Sequence, residues 1–307
     1  MPHAACRMPH GAWRLCRADV RRRGEVDLVV PAGQPPCVYC PDMTATPTWR
    51  CVTWNVDWRA RNPQQTPRLA YLDNCRATVA ALQEVPGPWA RRVLEESRRP
   101  AVFSQQVYER ATWRWMGCGL LFAEGTEILE QGVIGELPKP QRGLWAKVRL
   151  PSGPTLTAVS WHAPNAAGDG APVKMTAYRT MNGWLRGRGP VVLGADLNSW
   201  RDPVDLLPAE RGDEFEAEHA FVGPQPEHGL RDCFRQVLED RGELDRLRSV
   251  APDGPLAVSY VLKRAGGQRM DRIFASPELK PLDAAYEPVE DATRAGSDHA
   301  LHWVDFA

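Results

Sequence analysis

From Trp49 onward, short apolar runs of strand length alternate with stretches in which apolar residues recur every three or four positions. The strand-like runs are Arg50 to Asn55, Gly119 to Phe122, Leu144 to Leu150, Thr155 to His162, Val191 to Ala195, Arg269 to Ala275 and His302 to Phe306. Helical spacing covers Leu69 to Leu82 and Lys174 to Arg186. Leu144 to Leu150 and Thr155 to His162 are joined by Pro151-Ser152-Gly153-Pro154, a turn-forming loop that predicts an antiparallel hairpin. The alternation excludes a pure helix bundle, and the hairpin argues against a purely parallel sheet. The expected class is a layered α/β (α+β) architecture. No internal repeat and no glycine-rich dinucleotide or Walker loop interrupts it.

The first 47 residues lack either periodicity, carry Arg21-Arg22-Arg23 and end in a proline-broken stretch from Pro31 to Pro47. They read as a poorly ordered extension, 1–47, ahead of a domain at 48–307; Met43 is an alternative start. Cys37-Val38-Tyr39-Cys40 has the spacing of half a zinc site that His3 and His10 would complete, but a single CxxC pair is a weak signal.

Composition changes this picture little. Hydrophobic residues are 43% and charged residues 25% of 307, and no run approaches the ~18 apolar residues of a membrane span. The net charge of zero supplies no general attraction to nucleic acid or anionic lipid, so a phosphate-bearing substrate must be held locally. Of eight cysteines, Cys51, Cys75, Cys118 and Cys233 are scattered among mostly apolar neighbours. Arg7, Arg14 and Arg17 interrupt any signal-peptide core, and a cytoplasmic location with reduced thiols is expected.

The chemistry-bearing residues cluster where strands end. Val52-Thr53-Trp54 runs into Asn55, and Ala81-Leu82-Gln83-Glu84-Val85 carries a carboxylate inside an apolar run. Such a carboxylate needs compensation, from a metal cation or from a hydrogen-bonded Gln83/Glu84 pair. Val191 to Ala195 ends in Asp196-Leu197-Asn198, whose polar side chains, two apart, are expected to face the same way off the strand end; a capping turn is the other reading. Trp161-His162-Ala163-Pro164-Asn165 closes a strand with an ionisable group, as a site histidine or a satisfied structural one. Asp271 opens Met270-Asp271-Arg272-Ile273-Phe274, and Gly296-Ser297-Asp298-His299 sets an acid beside a histidine. Hard oxygen donors suit Mg²⁺, and neutral or cationic donors suit phosphate.

The ordered set TWN, LQE, WHAPN, GADLN, DRIF and SDH resembles the endonuclease/exonuclease/phosphatase superfamily over roughly residues 49 to 307. That resemblance implies a DNase I-like fold, a four-layer αββα sandwich of two mixed β-sheets with the site at one edge. It implies a metal-dependent phosphoric-ester hydrolase using Mg²⁺ or Mn²⁺. Carried over by motif, Glu84 matches the main metal ligand, and Asn55 and Asp298 match residues that complete or orient the metal's water shell. Asp196 matches the residue that activates the attacking water, Asn198 the amide that holds it, and His299 the histidine on the scissile phosphate with Asp271 fixing its tautomer. His162 departs from the abasic-site endonucleases, which carry tyrosine there, and would act as a leaving-group acid or phosphate donor. Asn165 matches an asparagine that supports the substrate site.

Family resemblance does not choose the substrate. Arg110 to Trp115 mixes cations and aromatics; Arg110 and Trp113 suit phosphate or base contacts, or Trp113 and Trp115 alternate into the core. Arg201 to His228, acidic and proline-containing, reads as a solvated surface loop. The expected activity is that of a phosphodiesterase acting as a nuclease on DNA or RNA. A phosphomonoesterase or phosphodiesterase on a small or lipid phosphate is the alternative, and an inactive binding module the different class. A monomer is expected.

Overall fold

The computed structural model describes residues 4–7, 13–16, 49–57, 66–109, 116–199, 216–223, 225–250, 255–262 and 266–307. The chain divides into two units, Met1–Thr46 and Pro47–Ala307. In the first, Ala4–Arg7 pairs antiparallel with Trp13–Cys16, so part of the expected tail forms a strand pair. Residues His3, His10, Cys37 and Cys40 lie outside the described residues.

In the second unit twelve strands form two six-stranded sheets. In chain order they are β1 (Trp49–Asn55), β2 (Val79–Val85), β3 (Ala101–Phe103), β4 (Gly117–Phe122), β5 (Glu127–Val133) and β6 (Gly143–Arg149). There follow β7 (Thr155–His162), β8 (Val191–Asp196), β9 (Arg231–Asp232), β10 (Asp271–Ala275), β11 (Pro281–Tyr286) and β12 (His302–Phe306). The sheets run in the orders β11-β12-β1-β2-β4-β3 and β9-β10-β8-β7-β6-β5. Each contains one parallel pair, β1 with β2 and β7 with β8, among antiparallel neighbours.

Alternation along each strand builds the layers. In β7, Leu156 and Ala158 join the core between the sheets, while Val159 and Trp161 face the helix Ala171–Leu185 with Tyr178 and Met181. On the other sheet Val52, Trp54, Ala80 and Leu82 pack against Leu72, Trp89 and Val93 of the helices Thr66–Asn74 and Gly87–Glu96. Central strands are thus apolar on both faces, and the result is the four-layer αββα sandwich.

The sheets meet most closely at Gly194. A Cβ there would lie 2.6 Å from the Ala81 Cβ and 2.9 Å from the Thr53 Cβ. Beside it Gln83 donates from Nε2 to Thr53 Oγ1 (3.1 Å), Ser160 Oγ (3.1 Å) and the Gly194 carbonyl (3.2 Å), a buried polar rivet between sheets. Gly194→Ala is therefore expected to destabilise the domain by about 1–3 kcal/mol through overpacking. A urea midpoint unchanged from the parent at equal slope would refute that contact.

Several elements differ from the sequence reading. The helix expected over Leu69 to Leu82 is Thr66–Asn74 followed by β2. The chain leaves the helix at Arg76, whose φ is +51°, with its N–H on the Asp73 carbonyl. A strand buried on both faces lacks the alternation that separates it from a helix. The edge strands β3, β5, β9 and β11, and the small pair Tyr260–Leu262 with Gly266–Gln268, carried no readable signal. The segment Arg201 to His228 is not wholly a solvated loop: Glu216–Val222 is a helix whose Phe221 and Glu218 are buried. His228 is also buried, its Nδ1 accepting the Leu230 N–H and its Nε2 3.0 Å from the Phe221 carbonyl oxygen.

Candidate active site

Strand direction brings the polar ends together. Because β1 and β2 run parallel with Asn55 opposite Gln83, Asn55 and Glu84 emerge from one edge. The other sheet repeats this with Asp196 opposite His162. There β10 runs antiparallel to β8, so its first residue, Asp271, pairs with Asp196. β12 is antiparallel to β1, which places the preceding Asp298-His299 at that same edge.

The backbone bends to make this arrangement. Glu84 has φ +52° at a register shift between Leu82 and Val85, and Asn198 has φ +46°. Non-glycine residues held there cost about 1–3 kcal/mol each and persist only when the surroundings impose them. Asn198 therefore does not continue the strand, and the same-face argument for Asp196 and Asn198 fails. The Asn198 N–H instead bonds Asp196 Oδ1 (2.9 Å), and its Nδ2 donates to the Ala163 carbonyl (2.9 Å).

Two hydrogen-bonded pairs form the centre. Asn55 Nδ2 donates to Asp196 Oδ2 at 2.8 Å, and His299 Nδ1 lies 2.8 Å from Asp271 Oδ2. Ser297 Oγ donates to the Asn55 carbonyl (2.6 Å) and accepts the His299 N–H (3.0 Å), tying the SDH turn to the end of β1. Trp54 Nε1 donates to the His299 carbonyl, and the Tyr260 ring lies 4.6 Å from the imidazole. Ser259 Oγ accepts the N–H groups of Met270 and Asp271. Asp298, more exposed, brings Oδ1 to 3.9 Å from His299 Nε2.

Charges follow from burial and neighbours. Burial alone would lower the His299 pKa, but the carboxylates of Asp271 and Asp196 outweigh it and raise it to about 10. Asp196 is pushed up to about 7, first by burial and then by the charge of Asp271, against the opposing pull of His299. His162 Nε2 stands 3.5 Å from Glu84 Oε1 and 3.9 Å from Asp196 Oδ2, contacts that favour the imidazolium. Complete burial, with the positive charge of Arg142 behind it, dominates and holds His162 in the neutral form. His162 thus offers a neutral imidazole and His299 a cationic one.

Asn165 sits outside this centre. Its Oδ1 accepts the Ala167 N–H, and its Nδ2 donates to Asn198 Oδ1 (3.3 Å), so it supports Asn198 from an exposed position. Arg110 and Trp113 lie outside the described residues. The sequence reading missed the buried residues under the turn, Lys174, Tyr178 and Glu218, which no local motif marks.

Oxygen donors dominate the site, as a hard divalent cation requires. The tightest donor group is Asp196, Asp271 and His299, with one candidate ligand atom from each lying within 4.8 Å of the others. The protonated His299, committed to Asp271, is a poor ligand, whereas Asp271 Oδ1 is buried without a hydrogen-bond partner and Glu84 adds a carboxylate beside His162. Donor chemistry and the orphaned oxygen both fit a cation at this edge.

Two mixed sheets with carboxylates, amides and histidines converging at one edge define a metal-dependent phosphoric-ester hydrolase. The chain matches the model of the Endonuclease/Exonuclease/phosphatase family over residues 52–299, and it belongs to that family. Solved structures with the same fold include D. rerio TDP2 complexed with a single-strand DNA product, 16% identical with TM-score 0.59, covering 84% of this chain and 98% of that one. An AP endonuclease from Archaeoglobus fulgidus is 17% identical with TM-score 0.59, covering 84% and 99%. The 3' phosphatase NExo from Neisseria bound to a product DNA hairpin is 18% identical with TM-score 0.54, covering 84% and 99%. No curated protein sequence matches. Among the described residues no helix is long and apolar enough to cross a membrane.

Proposed function

We propose that the chain is a Mg²⁺- or Mn²⁺-dependent phosphodiesterase acting as a nuclease on DNA or RNA. The observation that carries this is the pairing of Asn55 with Asp196 and of Asp271 with His299 across the two sheets at one edge. Glu84, with Asn55 and Asp298, would hold the metal, which would supply Lewis-acid polarisation of the phosphoryl group and offset its negative charge. Asp196, oriented by Asn55 and by the Asn198 N–H, accepts a proton from the attacking water; its raised pKa suits a base near neutrality. Asn198 holds that water. His299, kept cationic by Asp271, stabilises the charge that grows on the phosphoryl group. Neutral His162 donates a hydrogen bond to the phosphate or to the leaving oxygen.

Nucleic acid is favoured as the substrate because structures of this fold have been solved with DNA products. One of those is a 3' phosphatase, which keeps a terminal phosphomonoester on DNA as the second reading. A panel of plasmid, single-stranded DNA, RNA, a 3'-phosphorylated oligonucleotide and chromogenic mono- and diesters separates the readings. Hydrolysis is expected to require Mg²⁺ or Mn²⁺, to favour the polynucleotide diesters, and to fall by at least about 100-fold in Glu84→Gln. Preference for a monoester would select the second reading. An inert, folded protein on every substrate would leave a binding module.

A further inference from the structure

The left-handed turn at Asn198 is gripped from beneath by two helices. Lys174, on Ala171–Leu185, donates from Nζ to the Asn198 carbonyl at 2.8 Å. Tyr178, four residues further along that helix, donates from Oη to the Leu197 carbonyl at 2.6 Å. Glu218, on Glu216–Val222, closes on Lys174 Nζ and accepts the Ser199 hydroxyl at 2.7 Å. Lys174 and Glu218 are only 6% and 2% exposed, so an ion pair has been taken out of water to reach two successive residues of one turn, Asn198 and Ser199.

Stability is a weak explanation for such a pair. Desolvating both charges offsets most of their attraction, and well-packed apolar replacements of similar volume are often neutral or stabilising. What an apolar pair cannot do is donate to the Asn198 carbonyl or accept from Ser199. Without those bonds the Asn198 carbonyl and the Ser199 hydroxyl lose their anchors, and less opposes relaxation of Asn198 from φ +46°, a conformation that asparagine tolerates at a cost. The same turn presents the Asn198 N–H to Asp196 Oδ1 and the Asn198 side chain to Ala163 and Asn165.

We propose that Lys174 and Glu218 are positioning residues for the phosphoryl-transfer site, a buried bracket that holds the Asp196-Leu197-Asn198-Ser199 turn in its strained, productive form. The inference rests on the reaction proposed above only for its kinetic readout. Neither side chain needs to touch substrate, so the bracket acts on turnover more than on substrate affinity.

The test compares Lys174→Met, Glu218→Leu and the double variant with the parent in three readouts: melting temperature, kcat and KM on the best diester of the panel, and the crystal structure of the turn. Each single variant takes the opposite charge away from a buried ionic group and is expected to lose both melting temperature and kcat. The double variant is expected to recover melting temperature, while kcat stays down by roughly 10- to 100-fold with KM within about twofold, and the Asn198 carbonyl shifts. A double variant with parental kcat, or one whose Asn198 keeps its left-handed φ, overturns the proposal. Should the parent hydrolyse no diester, the proposed function fails. The crystal structure then decides the bracket alone: a moved turn supports it, and an unmoved one refutes it.

Discussion

His299→Ala is expected to lower kcat by about 10²- to 10⁴-fold with a much smaller change in KM. The imidazole is buried between Asp271 and Asp298, its Nδ1 held by Asp271 and its Nε2 not held by that bond. With a pKa of about 10 it carries its charge throughout the neutral range. A cation fixed beside the phosphoryl group gains strength as negative charge accumulates in the transition state, so its loss falls on turnover rather than on binding. Asp271→Asn adds a directional check. The carboxylate raises the His299 pKa, so removing it lets His299 lose its proton at lower pH. The alkaline limb of the pH–activity profile should move from near 10 towards the ordinary histidine value of about 6.5. A parental profile in Asp271→Asn would show that His299 is not the group whose charge matters.

Asp232→Ala is expected to destabilise the domain by about 3–5 kcal/mol, the range for stripping the partner from buried charge. Asp232 accepts from Arg269 Nη1 at 3.2 Å and Arg272 Nη1 at 3.3 Å, and both guanidiniums are buried. It also caps the helix Cys233–Asp240 by accepting the Arg235 N–H at 3.2 Å, worth about 1 kcal/mol more. Asp232→Asn keeps a cap acceptor but removes the charge, and should fall between the parent and the alanine variant. Burial alone would raise the Asp232 carboxyl, yet Arg269 and Arg272 outweigh it and hold it well below the usual carboxylate range. Because the folded-state value is depressed, this stabilisation is present above about pH 4 and is lost as pH falls below it. Chemical denaturation between pH 7 and pH 3 should therefore show a steeper acid loss in the parent than in Asp232→Ala. Parallel curves would assign the arginine charges to another partner.

The site was legible in the sequence to the extent that each donor sits in a contiguous motif at a strand end. Asn55 and Asp196 end apolar runs, Glu84 interrupts one, Asp271 opens one and His299 precedes one, and the structure brings all five to one edge. The tight pairing of Asp196 with Asn55 was not legible, because 141 positions separate them and only the apposition of the two sheets closes that distance. Lys174 and Glu218 were invisible for a related reason. Lys174 is legible only as the first residue of a helical stretch and Glu218 only as part of an acidic loop, and burial is decided by what packs over a residue.

By itself, then, the sequence determined the αβ alternation, the hairpin from Leu144 to His162 and the polar donors at strand ends, because these follow from side-chain period and turn chemistry over a few residues. Tertiary structure decided that Val79–Val85 is a strand, since its apolar run suits a helix as well until β1 and β4 supply hydrogen-bond partners on either side. It also decided the left-handed turns at Glu84 and Asn198 and the charge states of His162 and His299. Those depend on which groups the fold encloses together, and no short-range pattern encodes an enclosure.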